Sequence, residues 1–167
     1  MSRPAHPRPW PAAFLATIVS AVVATASIAA EPPAPSAVEF DIGSVPQALT
    51  EQPGDVDQGK IIMSTNALGN CVACHQISAM PDVDFQGNVG PSLDGVAERY
   101  DEAHLRGLVI DAKRTFDGTI MPAFYKNEGY VRAGDGYTGK APEGTIPPIL
   151  DAQQVEDVVA YLLTLKW

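Results

Sequence analysis

Cys71-Val72-Ala73-Cys74-His75 is the stretch on which the reading of this chain turns. Two thiols three residues apart with a histidine directly behind them are the attachment pattern for a c-type haem. On one helical turn both sulfurs face the same way, and each takes up one vinyl group of the porphyrin. His75 then comes beneath the iron as its fifth ligand. A zinc site would need further Cys or His ligands at matching spacing, and no second cluster stands in the sequence. A thioredoxin-like redox pair belongs beside a βαβ pattern, which the flanks lack. A structural disulfide over so short a step is a poor use of the only two cysteines.

Working outward, iron held by one histidine wants a second ligand from the opposite face. A thioether there is soft, favours the ferrous state and raises the potential relative to a second imidazole. There are four methionines. Met1 leaves with any cleaved leader. Met80 follows His75 too closely to pass round the porphyrin edge, and Met63 sits on a helix that must pack elsewhere. Met121, in Thr119-Ile120-Met121-Pro122-Ala123-Phe124, lies on a loop far enough along to wrap the haem and is the expected sixth ligand. His104 flanks an apolar helical stripe and reads as a surface side chain. A haem-bound histidine donates its outer ring N–H to an acceptor that fixes its orientation. The carbonyl of Pro91, in Gly90-Pro91-Ser92-Leu93, is the candidate.

The chain has 167 residues, enough for one domain. Residues 1–30 read as a cleaved export signal: Arg3 and Arg8 come first, Trp10 to Ala30 is uncharged, and small residues precede a cut after Ala29 or Ala30. The competing reading is an uncleaved anchor, since the uncharged run is nearly long enough to span a bilayer. Cleavage would remove two of the eleven basic residues and none of the twenty acidic ones, taking the formal charge from −9 to −11. That argues against nucleic acid and against anionic membrane surfaces as partners. Residues 31–54 form a Pro-rich extension, either a solvated tail or a strap for a partner subunit, with Val38, Phe40, Ile42, Val45 and Leu49 to bury. Residues 55–167 form the haem domain.

Within it, Asp55 or Asp57 caps a first helix, which Gly69-Asn70 ends. Gly59 in that helix costs roughly 1 kcal/mol against alanine and asks for a close crossing, with Tyr161 or Leu162 of the last helix as the residue that rests on it. Asp101 caps a helix striped by Leu105, Leu108, Val109 and Ala112. Lys126 to Pro148, with Tyr130 and Tyr137, is long for a loop without structure of its own. Asp151 and Gln154 make a capping box for a final helix with Val155, Val158, Val159, Leu162 and Leu163 on its apolar face. No run of strands is legible, so the fold class is all-α.

Gly59-Lys60, the haem motif, the Gly-Pro turn, the Met-Pro loop and the ending Asp157-Val158-Val159-Ala160-Tyr161-Leu162 resemble class I cytochromes c. Gly69-Asn70 before the haem motif, Gly90-Pro91-Ser92-Leu93-Asp94-Gly95, Leu105-Arg106 and Tyr161-Leu162-Leu163-Thr164-Leu165 are similar to the SoxX family. Those are the small haem subunits of SoxAX complexes in bacterial thiosulfate oxidation. The resemblance implies helices and long loops wrapped around one covalently attached haem, bound by Cys71 and Cys74 and ligated by His75 and Met121. It implies a periplasmic heterodimer with a SoxA-like dihaem or monohaem cytochrome subunit, acting as an L-cysteine S-thiosulfotransferase on a SoxYZ-like sulfur carrier and passing electrons to a small cytochrome c. With both thiols used as thioethers, no nucleophile is left on this chain, so the sulfur chemistry is expected on the partner. A freestanding periplasmic electron carrier is the alternative. A haem-based sensor or peroxidase would require the distal site to open.

Overall fold

A computed structural model describes residues 1, 30–131, 133 and 139–167. The export signal expected over 1–30 falls outside the described residues apart from its two ends, as does Tyr137. Four α-helices organise the rest: α1 (Val56–Ser64), the short α2 (Val96–Arg99), α3 (Glu102–Asp111) and α4 (Ala152–Leu162). Single 3-10 turns stand at Pro35–Ala37, Cys71–Ala73 and Ala112–Arg114. Among the described residues the extended pairing is one isolated bridge between Asp41 and Ser44. No described helix is long and apolar enough to cross a membrane.

The helix ends follow their local chemistry. Asp55, rather than Asp57, caps α1: its carboxylate accepts from the N–H groups of Asp57 and Gln58 at 2.9 and 3.0 Å. Asp101 accepts from His104 N–H at the start of α3. At α4 both bonds of the Asp151–Gln154 capping box are made. The helix α1 stops at Ser64, well before the expected Gly69-Asn70. Ser64 Oγ and Thr65 Oγ1 donate back to the carbonyls of Lys60 and Ile61. Such hydroxyls compete with the backbone for the last acceptors of a helix. Gly69-Asn70 then serves the next turn, with Asn70 in the left-handed region at φ +46°.

The helices α1 and α4 cross at Gly59. A Cβ there would collide with the Asp157 carbonyl and the Tyr161 side chain, so the glycine is required by close approach. Tyr161 is the residue that rests on it. Ile62 and Met63 of α1, Leu105 and Val109 of α3, and Val155, Val158, Val159 and Leu162 of α4 form one core.

The end of the lead-in is not a solvated tail. Val45 and Leu49 are buried in the chain's own core. Acids of α4 hold it down: Glu156 accepts from Leu49 N–H at 2.9 Å and Asp157 from Asp55 N–H at 2.8 Å. Arg106, 2% exposed, binds Glu156 through Nε at 2.8 Å and a terminal nitrogen at 3.0 Å, donates to the Val45 carbonyl at 3.0 Å and pairs with Glu102. Desolvation pulls the guanidinium pKa down, and the hydrogen bonds and charges of Glu156 and Glu102 outweigh it, leaving it above its ordinary value. Polar side chains that a helical wheel would put in water thus clamp three segments together.

Candidate functional site

Residues 71–75 form one tight turn. Cys74 N–H and His75 N–H both donate to the Cys71 carbonyl, at 3.1 and 2.9 Å. That bends the chain so that Cys71, Cys74 and His75 line the same cleft. The loop that follows folds back over the turn: Gly87 N–H donates to the Val72 carbonyl and Gly90 N–H to the Cys74 carbonyl, each at 2.8 Å. Its far end brings the Pro91 carbonyl to 2.7 Å from His75 Nδ1. With Nδ1 carrying the proton, this bond leaves Nε2 as the ring's free lone pair. Asp94 secures the loop by accepting from Ser78 N–H and Oγ at 2.8 and 2.7 Å. Those Ser78 bonds hold the Asp94 carboxyl below its ordinary range.

Gly90 lies flat against the imidazole, and a Cβ at this position would collide with the His75 ring. Gly90→Ala is therefore expected to push the ring off the Pro91 carbonyl and to destabilise the holoprotein by about 1–3 kcal/mol, as overpacking does. Urea denaturation followed by circular dichroism checks it; an unchanged midpoint would contradict it.

The cleft has a volume of about 340 Å³. Its floor and far wall are apolar: Leu93, Tyr100, Leu105, Leu108, Val109, Phe124 and Leu162 among them. Met121 and Ile120 come in from the loop after α3. Lys113 Nζ donates to the Met121 carbonyl at 2.6 Å, and Met121 N–H donates to Thr119 Oγ1 at 3.2 Å. The methionine backbone is thus held from two sides while its side chain faces the cleft. Met63, on α1, also reaches the cleft wall and is buried, whereas Met80 is buried in the core away from it. His104 does not line the cleft; its Nδ1 lies 2.8 Å from Asp101. Burial pushes the Cys71 thiol up to about 12, with Cys74 adding to the rise. Among the described residues no group of three or more His, Cys, Asp or Glu side chains gathers as a metal-ion cage.

A largely apolar slot lined by two thiols, an imidazole and a thioether fits a covalently held porphyrin. The family model for cytochrome c matches residues 56–166, most of the chain. The chain belongs to the cytochrome c family. It carries one covalently attached c-type haem. A chain of the SoxXA crystal structure from P. pantotrophus is 57% identical, with a TM-score of 0.78, over 81% of this chain and 99% of that one. A "Cytochrome c-553-like" protein of Synechocystis sp. is 34% identical over 74 residues, which span 44% of this chain and 57% of that protein. This cytochrome c therefore shares 81% of its length with one relative and spans little more than half the length of the other.

Sequence reasoning had no means of finding Lys113, whose bond to Met121 spans eight residues of loop. Nor did it place Met63 in the cleft wall. Helical spacing signals a buried face and does not say which buried residues border a cofactor.

Proposed function

We propose that this chain is the electron-transfer haem subunit of a SoxXA-type complex in the periplasm. The observation that carries the reading is the 57% identity to the SoxXA chain over 99% of its length, joined to a cleft that both His75 and Met121 line. In this reading Cys71 and Cys74 hold the haem as thioethers and His75 and Met121 ligate its iron. The bound haem supplies a reversible one-electron couple.

The chain's own residues do the rest. The Pro91 carbonyl at 2.7 Å fixes the orientation of the His75 ring. Lys113 and Thr119 hold the Met121 loop closed. The apolar wall keeps water from the cofactor and favours its less charged, reduced state. With His75 and Met121 both holding the iron, no position would be left for a sulfur substrate, and both thiols would be used as thioethers. Joining thiosulfate to a carrier-protein cysteine, an L-cysteine S-thiosulfotransferase reaction, forms one S–S bond and releases two electrons. That bond forms on a SoxA-like cytochrome subunit and a SoxYZ-like carrier. This chain receives the electrons one at a time and passes them to a small cytochrome c.

The purified holoprotein alone is expected to be reducible but inactive toward thiosulfate, and to gain activity when its SoxA-type subunit is added. Thiosulfate turnover by the chain alone would refute the division of labour. The likeness to the "Cytochrome c-553-like" protein supports a second reading, a freestanding carrier. Monomeric elution from native periplasm would favour it; co-purification with a second cytochrome favours the subunit reading.

Lys113→Ala should loosen the Met121 loop. Losing one charge-assisted hydrogen bond of this kind costs about 1.5–3 kcal/mol at most. The near-infrared sulfur-to-iron band of the ferric holoprotein should then bleach at lower temperature than in the parent, and Lys113→Arg should restore it. A bleaching temperature equal to the parent's would count against the role.

A further inference from the structure

Phe85 is 99% exposed and stands at φ +57°, in the left-handed region. A bulky aromatic in that conformation is an outlier. The two residues that follow hold it there. Gln86 turns inward, its Oε1 accepting from Ile77 N–H at 2.6 Å and its Nε2 donating to the Met80 carbonyl at 2.8 Å. Gly87 N–H is tied to the Val72 carbonyl within the haem-attachment turn. With both anchors set, the ring at 85 is driven outward. Val89, 65% exposed, continues the apolar surface to the cleft that it helps to line.

The stretch of chain that carries this knob has one sign of charge up to Arg99. Between His75 and Arg99 there is no lysine or arginine, while Asp82, Asp84, Asp94 and Glu98 all fall there. Asp82 and Asp84 precede Phe85 closely and are exposed. Arg99 is committed to the carbonyls of Asp94 and Ser92 at 2.8 and 2.9 Å.

We propose that Phe85 and Val89 form the docking surface for the SoxA-type cytochrome subunit, which meets them with an apolar pocket edged by lysine or arginine. This rests on the subunit reading given above. Aromatic side chains seated in a pocket are the usual anchors of a lasting interface, and complementary charge at the rim speeds encounter and fixes register. A small transient redox contact has no use for a strained, fully presented phenylalanine, whereas a surface covered for the life of the complex does. The loop is continuous with the attachment turn, so a partner seated there lies against the edge of the haem cleft.

The strain supplies the test. Asparagine tolerates the left-handed region, so Phe85→Asn is expected to leave the isolated holoprotein folded, with an unchanged haem spectrum and an equal or higher melting temperature. Binding of full-length holoprotein to the immobilised SoxA-type subunit is expected to weaken by roughly tenfold or more, the scale of a central aromatic anchor. Phe85→Trp should retain most of the affinity. Reversing both Asp82 and Asp84 to lysine should slow association at low salt. Ile42→Asn is the matched control: Ile42 is 94% exposed at φ +45° on the lead-in turn, and its replacement should leave binding as it was. Parental affinity in Phe85→Asn overturns the assignment and leaves the subunit reading standing. Failure of the parent holoprotein to bind the SoxA-type subunit overturns both. Equal losses in Phe85→Asn and Ile42→Asn overturn the surface, as does self-association of the parent that Phe85→Asn abolishes.

Discussion

Replacing Met121 by alanine is expected to open the haem iron to small ligands. In the parent, the ferrous holoprotein should bind carbon monoxide slowly or not at all, because the thioether must first leave. In Met121→Ala, binding should be complete within the mixing time of a stopped-flow experiment at millimolar carbon monoxide. The reduction potential should fall by on the order of 0.1 V, a part of the ~0.8 V span that axial ligands command. Met63 provides the comparison, because its side chain also borders the cleft. Met63 is buried in the α1 core, whereas Met121 sits on a loop whose backbone is held by Lys113 and Thr119. Met63→Leu should keep the parental spectrum and potential. If Met63→Leu and not Met121→Ala opened the iron, the two sulfurs would have to exchange roles.

The second large effect is expected at Arg106. Arg106→Leu removes the cation from Glu156 and leaves that carboxylate buried against Leu49. Breaking a buried pair by removing one partner costs about 3–5 kcal/mol, most of it the uncompensated charge. For a domain of this size that corresponds to a fall in melting temperature of about 10–20 °C. The loss should reach the lead-in, since Arg106 also holds the Val45 carbonyl. Proteolysis at residues 44–55 should therefore begin before the rest of the chain opens. Replacing both partners, as Arg106→Leu with Glu156→Leu, should recover much of the stability, because two matched apolar side chains need no counter-charge. A double variant no better than the single one would show that the bonds to Leu49 and Val45, rather than the charge, carry the effect.

These two sites show what the sequence could and could not disclose. The turn that brings Cys71, Cys74 and His75 to one cleft was legible because the pattern is local: one turn of chain sets the spacing. The caps at Asp101 and Asp151 were legible for the same reason, each acting within three residues. Gly59 was readable as a close approach because a helix has little other use for glycine. The Arg106–Glu156 pair was not, because its partners lie fifty residues apart. In sequence, Glu156 and Asp157 look like the solvent face of α4. The end of α1 was misjudged because Ser64 and Thr65 turn their hydroxyls back on the helix, a choice the apolar spacing does not register. Phe85 was invisible to pattern reading, since exposure and a positive φ are properties of the folded loop.

The central proposal is that His75 and Met121 would hold the haem from its two faces, which would make this chain a conductor of electrons closed to substrate. The near-infrared absorption of the ferric holoprotein at neutral pH tests it most directly. The account predicts a weak sulfur-to-iron charge-transfer band that is present in the parent and absent in Met121→Ala. A parent spectrum without that band, or a band that survives in Met121→Ala, would contradict it.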